Sequence, residues 1–271
     1  MALPISFTIT FMTEALTSNS LYIILAIGMA SAAGIIGPFA IMRRLALASD
    51  PISHVALPGL GVAFLLKINP LVGAAFALIV GAILIWQLEK RTGLSTDVLI
   101  GVIFSVSLAL GSLITPNEEL IDALLGSYTS VGLIEFIIGL ATSALIVGFV
   151  LYQKHKLTLA SLSPDLAKTS GLNIDRLNLY FLLAFVLTML LGLRYLGVLL
   201  MGSLIIIPAA VGKNLGRSLN SMLVIGVITA VLSTGLGLLM APRFDLEPGP
   251  TIIVVAAILF FLSFLFRRKS K

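Results

Sequence analysis

The stretch LALASDPISHVALPGLG, residues 45–61, places Asp50 and His54 four positions apart at the start of a long apolar run. On a helix, side chains four positions apart share one face, with Cβ atoms about 5–6 Å apart. Ionisable residues inside an apolar span are costly to bury and usually mark a path for a substrate or an ion. The stretch therefore predicts a membrane-spanning helix that carries a functional polar pair.

The composition of the whole chain indicates an integral membrane protein. Hydrophobic residues make up 59% of the 271 residues and charged residues 11%, and the mean hydropathy is +1.14. Soluble domains contain about 45–50% apolar and about 25% charged residues, and a soluble chain of this size could not bury so much apolar surface. The length leaves little room for a separate soluble domain, so we expect a single transmembrane domain over residues 1–271.

Nine apolar segments are candidates for membrane-spanning helices, which need about 20 residues each. Their approximate bounds are 19–42, 50–66, 70–88, 97–115, 131–152, 177–193, 195–212, 219–240 and 250–266. The sixth and seventh meet at the sequence GLRYLG and are also compatible with one broken element, which gives eight or nine helices. The runs are continuous rather than alternating, so strands are not expected. The predicted fold class is an all-α polytopic membrane protein.

The basic residues predict the orientation of the chain. If the first helix ends in the cytoplasm, all but three of the 17 Lys and Arg residues fall on that side, the exceptions being Lys67, Arg194 and Arg243. The positive-inside rule predicts this bias. We expect an outside N-terminus, a cytoplasmic C-terminus, and contacts with anionic lipid headgroups rather than with nucleic acid. The outer loops 115–128 and 241–250 are acidic.

The chemistry of the polar pair suits a divalent transition metal. A carboxylate and an imidazole are ligands that zinc and manganese accept. Two other interpretations remain open: Asp50 followed by Pro51 fits a helix N-cap with proline in the first position, and His54 could simply hydrogen-bond to Asp50. Two ligands are too few for a tetrahedral site, whereas a two-fold homodimer supplies four. Pro58 and Gly59 are expected to kink the helix and to let neighbours approach closely.

The segment LASLSPDLAKTSGLNIDR, residues 159–176, is too polar to span the membrane and is the longest cytoplasmic connection. Ser163 fits an N-cap, Pro164 fits the first helical position, and Gly171 can end the helix. The segment therefore predicts a short helix outside the bilayer.

The segment GVLLMGSLIIIPAAVGK, residues 197–213, combines small residues with a proline inside a span. Gly197 and Gly202 offer contact points to neighbouring helices, and Pro208 is expected to interrupt the seventh helix near its cytoplasmic end. Ordinary helix packing explains these residues as well as a gating role does.

Several absences argue against an enzyme. The chain has no cysteine and two histidines, so a thiol nucleophile is excluded and a histidine-based catalytic site is poorly supplied. The sequence contains no G-x-x-x-x-G-K-[ST] pattern, so the chain does not hydrolyse ATP by that route. We expect a transport protein without catalysis of its own.

Five segments occur in the order MRRLALASDPISHVALPGLGVAF, WQLEKRTGLSTDVLIGVIFS, LASLSPDLAKTSGLN, LGVLLMGSLIIIPAAV and EPGPTIIVVAAILFFLSF. In this order they resemble the ABC-3 metal permease family, the membrane subunits of bacterial ABC importers for zinc, manganese or iron. The resemblance covers residues 25–266. Any one segment alone is a weak signal, whereas five in order are specific.

This resemblance implies the type II ABC importer fold, shared with vitamin B12 importers, in the bacterial plasma membrane. It implies a homodimer that binds two cytoplasmic ATP-binding subunits and an extracytoplasmic metal-binding protein, which would dock on the acidic outer loops. No permanently bound cofactor is implied, because the metal ion is the cargo. The family's metal ligands fall on Asp50 and His54. Its coupling helix falls on about 163–171, with the candidate residues Ser163, Pro164, Asp165, Leu166, Ala167 and Gly171.

Three alternatives remain at this point. A cobalamin- or siderophore-type ABC permease would need a wide pathway and no ring of ligands. A stand-alone secondary metal transporter would move metal without ATP. An intramembrane enzyme would need a catalytic constellation, which the sequence does not supply.

Overall fold

The structure, a computed structural model, describes residues 5–114, 131–193 and 198–266, and every regular element in these ranges is helical. In chain order the helices are α1 (Ile5–Met42), α2 (Ser49–His54), α3 (Ala56–Leu65), α4 (Pro70–Thr92), α5 (Thr96–Ile114), α6 (Leu133–Leu162), α7 (Pro164–Thr169), α8 (Ile174–Leu193), α9 (Val198–Leu215), α10 (Leu219–Met240) and α11 (Pro248–Leu265). A short 3₁₀ turn at Ala46–Ala48 precedes α2, and another at Ala241–Arg243 follows α10.

The helices correspond to the predicted spans. Within the described ranges, seven helices are long and apolar enough to cross a bilayer, namely α1, α4, α5, α6, α8, α10 and α11. Helix α9 is a shorter apolar helix, and α2 with α3 occupies the predicted span at 50–66. Residues 194–197, in the junction between α8 and α9, lie outside the described residues. The all-α, multi-pass fold class is confirmed.

Helix α1 lies at the centre of the bundle, where it packs against α6, α9 and α10. In its most apolar stretch 72% of the residues are buried, against 22% in α5 and in α6. Helices α5 and α6 therefore present large apolar side chains to the outside, as a lipid-embedded surface requires. Helix α1 begins at Ile5, ahead of the predicted span that starts near residue 19. Residues 5–18 contain no proline or glycine that would interrupt the helix.

Helices α3 and α4 form a close pair through small residues. Gly59 faces Gly73, and a Cβ atom on either residue would overlap the carbonyl oxygen of the other. Ala63 and Ala77 flank the crossing. The close approach predicted at Gly59 is thus present, because only hydrogen atoms stand between the two backbones.

The second span is divided into two helices just ahead of Pro58. Helix α2 ends at His54, the backbone N–H of Val55 donates to the carbonyl of Ile52 at 3.0 Å, and α3 begins at Ala56. Proline lacks an N–H and its ring clashes with the carbonyl four residues earlier, which is that of His54. The break therefore falls ahead of the proline, and Pro58 lies in the first turn of α3, where its missing N–H costs nothing.

The prediction that Pro208 interrupts the seventh helix is wrong. Helix α9 continues through this residue from Val198 to Leu215. Proline removes one backbone hydrogen bond, and the packing of α9 against α1, α10 and α11 holds the helix on both sides.

Candidate metal-binding site

Helix α2 carries both residues of the predicted metal pair and packs against α5, α8 and α9. At the contact with α9, a Cβ atom on Gly202 would lie 3.4 Å from Ser49 Oγ. Gly202 thus lies directly against Ser49 of α2, at a distance where a methyl group would just make van der Waals contact. The prediction that Gly202 is a contact point is confirmed, whereas Gly197 lies outside the described residues.

Asp50 lies in the first turn of α2, which begins one residue earlier at Ser49. The N-cap position belongs to Ala48, which makes no side-chain capping bond, so the interpretation of Asp50 as an N-cap is wrong. The preceding 3₁₀ turn explains the difference, because it brings the chain into helical geometry before Asp50. In that turn Ser49 Oγ donates to the carbonyl of Ala46 at 3.1 Å. The side chain of Asp50 is left 67% exposed.

His54 is mostly buried, with 17% of its side chain exposed, and its ring packs against Phe104 of α5 at a centroid distance of 5.5 Å. His54 Nε2 lies 3.9 Å from Asp50 Oδ1, which is too long for a hydrogen bond. The alternative of a simple hydrogen bond between the two side chains is therefore not seen. His54 Nδ1 is buried and has no hydrogen-bond partner among the described residues.

The separation of the two donor atoms is close to what a shared metal ion requires. With ligand bonds of about 2.1 Å, tetrahedral geometry sets donor atoms about 3.4 Å apart. A small rotation of the exposed Asp50 side chain closes the difference from the observed 3.9 Å. In the part of the chain that the structure describes, no group of three or more His, Asp or Glu side chains could hold a metal. One chain therefore offers two ligands.

The exposed surface at the start of α2 combines the Asp50 carboxylate with an apolar side chain of the preceding 3₁₀ turn. Leu47, three residues before Asp50, is 85% exposed in the isolated chain. A carboxylate facing hydrocarbon would be strongly unfavourable. Within the depth of the bilayer, this surface would need to be covered by protein or to line a path that contains water.

Helix α7 is the short polar helix that the cap residues predict. Pro164 is its first residue and Ser163 holds the N-cap position, although the Ser163 side chain makes no capping bond. After the helix, Gly171 has a φ of +78° and its N–H donates to the carbonyl of Lys168 at 3.0 Å. This left-handed ending is the one that glycine adopts without strain.

The remaining candidate residues of α7 have distinct positions. Asp165 lies in the first turn, Leu166 is exposed, and Ala167 is fully buried where α7 packs against α6 and α8. One side of the helix is thus anchored in the bundle while another is free to contact a partner.

The sequence of the chain matches the profile of the ABC 3 transport family over residues 12–267. The chain belongs to the ABC 3 transport family. Members of this family are transport permease subunits, which agrees with the absence of a catalytic constellation in the sequence.

Individual relatives in this family are similar over most of their length. The chain is 30% identical over 240 residues to the high-affinity zinc uptake system membrane protein ZnuB of Haemophilus influenzae, covering 86% of this chain and 91% of the relative. It is 29% identical over 241 residues to the manganese transport system membrane protein MntC of Listeria monocytogenes, covering 88% and 86%. The solved structure of PsaBC from Streptococcus pneumoniae in complex with Fab has a TM-score of 0.78 at 27% identity and covers 90% of both chains.

Two residues beside Asp50 and His54 were not predicted from the sequence. Phe104, which packs on His54, is one apolar residue among many on α5. Ser53 is buried and donates its hydroxyl to the carbonyl of Asp50. The position of Ser53 next to His54, within residues 45–61, could have indicated its role. No sequence feature distinguishes Phe104 from the other apolar residues of α5.

Proposed function

We propose that two copies of this chain form the membrane path of an importer for zinc or manganese, and that separate ATP-hydrolysing subunits drive it by alternating access. The observation that carries the proposal is the exposed carboxylate of Asp50 beside His54 on a helix of an otherwise apolar bundle. The ABC 3 family and the zinc and manganese systems named for its relatives support it.

A second copy would complete the ligand set. Across a two-fold axis, the same face meets itself, so Asp50 and His54 of each copy would give two carboxylates and two imidazoles. Two carboxylates neutralise the two positive charges of the ion, and four donors complete a tetrahedral shell. The same contact would cover the exposed side chains of Asp50 in α2 and of Leu47 in the turn before it.

The pair also suits an ion that passes through rather than one that stays. A histidine that holds a resident metal usually donates its second ring N–H to a fixed partner. His54 Nδ1 has no such partner among the described residues. A less firmly oriented imidazole favours weaker binding, and transport requires that the ion leave the site.

Helix α7 is the proposed contact with the ATPase. It packs against α6 and α8 and exposes Leu166. A short rigid helix joined to two spanning helices can pass a displacement of the ATPase to the bundle as a rigid-body movement.

We further propose that the N-terminus faces outward and that α7 lies in the cytoplasm of a bacterial cell. The ends of α1, α4 and α6 meet α7 at one end of the bundle, which agrees with the alternation that the basic residues predict. A metal-binding protein would dock at the opposite end. The loop at 241–250 exposes Phe244 and Leu246 there, whereas the acidic loop at 115–128 lies outside the described residues.

The test is metal uptake by the permease reconstituted with its ATPase and binding protein, with zinc, manganese and iron in competition. We expect Asp50→Asn and His54→Gln each to lower ATP-dependent uptake by at least about tenfold, because each removes a ligand from a four-donor site. Asp97→Asn, in the exposed first turn of α5, and His155→Gln, on the exposed side of α6, are matched controls that should retain uptake.

Two outcomes would contradict the proposal. Normal uptake in both ligand variants, with the complex assembled, would exclude the pair as the metal site. Metal flux through the permease alone, without ATP, would indicate a secondary transporter instead.

A further inference from the structure

A second polar site lies at the end of the bundle where α7 packs. There a cavity of about 520 Å³ opens between the ends of α1, α4 and α6, helix α7, and the starts of α5 and α8. Its charged lining consists of Arg43, Arg44, Lys168, Glu89 and Asp175. Three cations and two carboxylates leave the cavity with net positive charge.

The end of α1 holds Arg43 in a defined position. The N–H of Arg44 donates to the carbonyl of Ile41 at 3.1 Å, and the N–H of Leu45 donates to the carbonyl of Ala40 at 2.8 Å. Arg44 has a φ of +62°. These two bonds and the left-handed residue form a Schellman motif, so Arg43 is the last residue before the chain reverses.

The guanidinium of Arg43 is partly engaged by α8. Its Nη1 donates to Asn178 Oδ1 at 2.7 Å, and its central carbon lies 4.6 Å from the centre of the Phe181 ring. Its Nε and Nη2 are buried and have no hydrogen-bond partner within the described ranges. Nearby Glu89 accepts a hydrogen bond from Thr96 at 2.7 Å, so this carboxylate is already partnered.

The unpartnered atoms form one edge of the guanidinium. Nε and Nη2 lie side by side, and this edge binds two oxygens of a phosphate or carboxylate at once. Buried donors without acceptors are unfavourable. Burial lowers the pKa of Arg43 to about 10 against the opposing effect of Glu89, so at neutral pH the group stays charged and an incoming anion would be stabilising.

We propose that this cavity binds a phosphate group, held by the Nε and Nη2 edge of Arg43 and by the charges of Arg44 and Lys168. Arg43 lines this cavity, so binding requires that its side chain turn this buried edge toward the cavity. Arg43 directly follows the apolar span that ends at Met42, which is the depth of phospholipid headgroups. The phosphate can come from an anionic headgroup of the adjacent leaflet or from free inorganic phosphate.

The experiment measures thermal unfolding of the full-length permease in complex with its ATPase, stripped of lipid in detergent. We add phosphatidylglycerol, diacylglycerol as the same tails without phosphate, or inorganic phosphate. Phosphatidylglycerol should raise the Tm by a few degrees and diacylglycerol should not, since a ligand that binds the folded state stabilises it. A rise with inorganic phosphate alone would assign the site to the free ion.

Arg43→Lys tests the geometry of the site because it keeps the positive charge and removes the paired Nε and Nη2 donors that bind two oxygens at once. We expect the Tm increase to disappear in Arg43→Lys and to persist in Arg91→Lys, an exposed cation outside the cavity. Lys168→Gln leaves the Arg43 contacts in place and should weaken phosphatidylglycerol binding several-fold, counted as retained lipid by native mass spectrometry. The proposal fails if neither phosphate source raises the Tm, or if Arg43→Lys keeps the full effect.

Discussion

At the scale of single residues, the proposed metal site depends on the negative charge of Asp50, whose side chain is exposed in the single chain. Asp50 is exposed, lies beyond hydrogen-bond distance of His54, and is presented by a helix that touches α9 at a glycine. The position of the carboxylate thus depends on how closely α2 can approach α9. Gly202 lies at that contact.

We expect Gly202→Leu to lower metal uptake, because its side chain would push Ser49 and the rest of α2 away from α9. Overpacking of this kind costs about 1–3 kcal/mol, so part of the protein should still assemble. Gly148→Leu is the matched control, since a side chain at this position on α6 meets nothing within 4 Å. Uptake per assembled complex is the measurement, and equal losses in both variants would show that the contact with α9 is not the cause.

At the scale of elements, helix α7 depends on its left-handed ending at Gly171. The N–H of Leu172 donates to the carbonyl of Ala167 at 3.1 Å, which closes the turn and sets the direction in which the chain enters α8. A short helix is stable only with such tertiary support. The geometry of this turn therefore decides how α7 is presented to a partner.

We expect Gly171→Ala to raise the ATP hydrolysed per metal ion transported, because alanine in the left-handed region costs about 1–2 kcal/mol and favours another turn. Gly171→Asn should behave almost as the unaltered protein, since asparagine tolerates this conformation. Asp165→Ala, in the first turn of α7, should uncouple in the same direction. The ratio of ATP hydrolysis to uptake in proteoliposomes measures this, and an unchanged ratio in the Gly171→Ala and Asp165→Ala variants would exclude α7 as the coupling element.

At the scale of the whole molecule, one exposed surface differs from the rest. Helices α5 and α6 present apolar side chains that lipid can cover, whereas the start of α2 presents Asp50, with the exposed Leu47 in the 3₁₀ turn just before it. A homodimer with α2 at its axis would remove this charged patch from hydrocarbon. Helix α6 packs against α1 and α8, so its outer face is expected to contact lipid.

Because the chain has no cysteine, one introduced thiol tests the arrangement of the dimer. We expect Leu47→Cys to give a covalent dimer with a short bismaleimide, since residues near a two-fold axis meet their own copies. Ile134→Cys on the outer face of α6, an exposed apolar position, should remain monomeric. Electrophoresis of the treated membranes distinguishes them, and a dimer formed only through residue 134 would place the axis elsewhere.

Much of the molecule could be predicted because the signals are local or one-dimensional. The bilayer sets the length of an apolar run, so the spans appear in the sequence as stretches of about 20 residues. The pattern of Ser163, Pro164 and Gly171 predicted α7, because cap and turn preferences act within a few residues. The shared face of Asp50 and His54 follows from helical spacing alone.

The sequence by itself determined the membrane class, the approximate spans and the identity of the polar pair, since these follow from hydropathy and spacing along the chain. Only the tertiary structure decided that α2 ends at His54, that α9 runs through Pro208, and that Phe104 packs on the imidazole. The contact between Arg43 and Asn178 joins residues 135 positions apart. Such features depend on which helices pack together, and packing energies exceed the local preferences that a sequence pattern records.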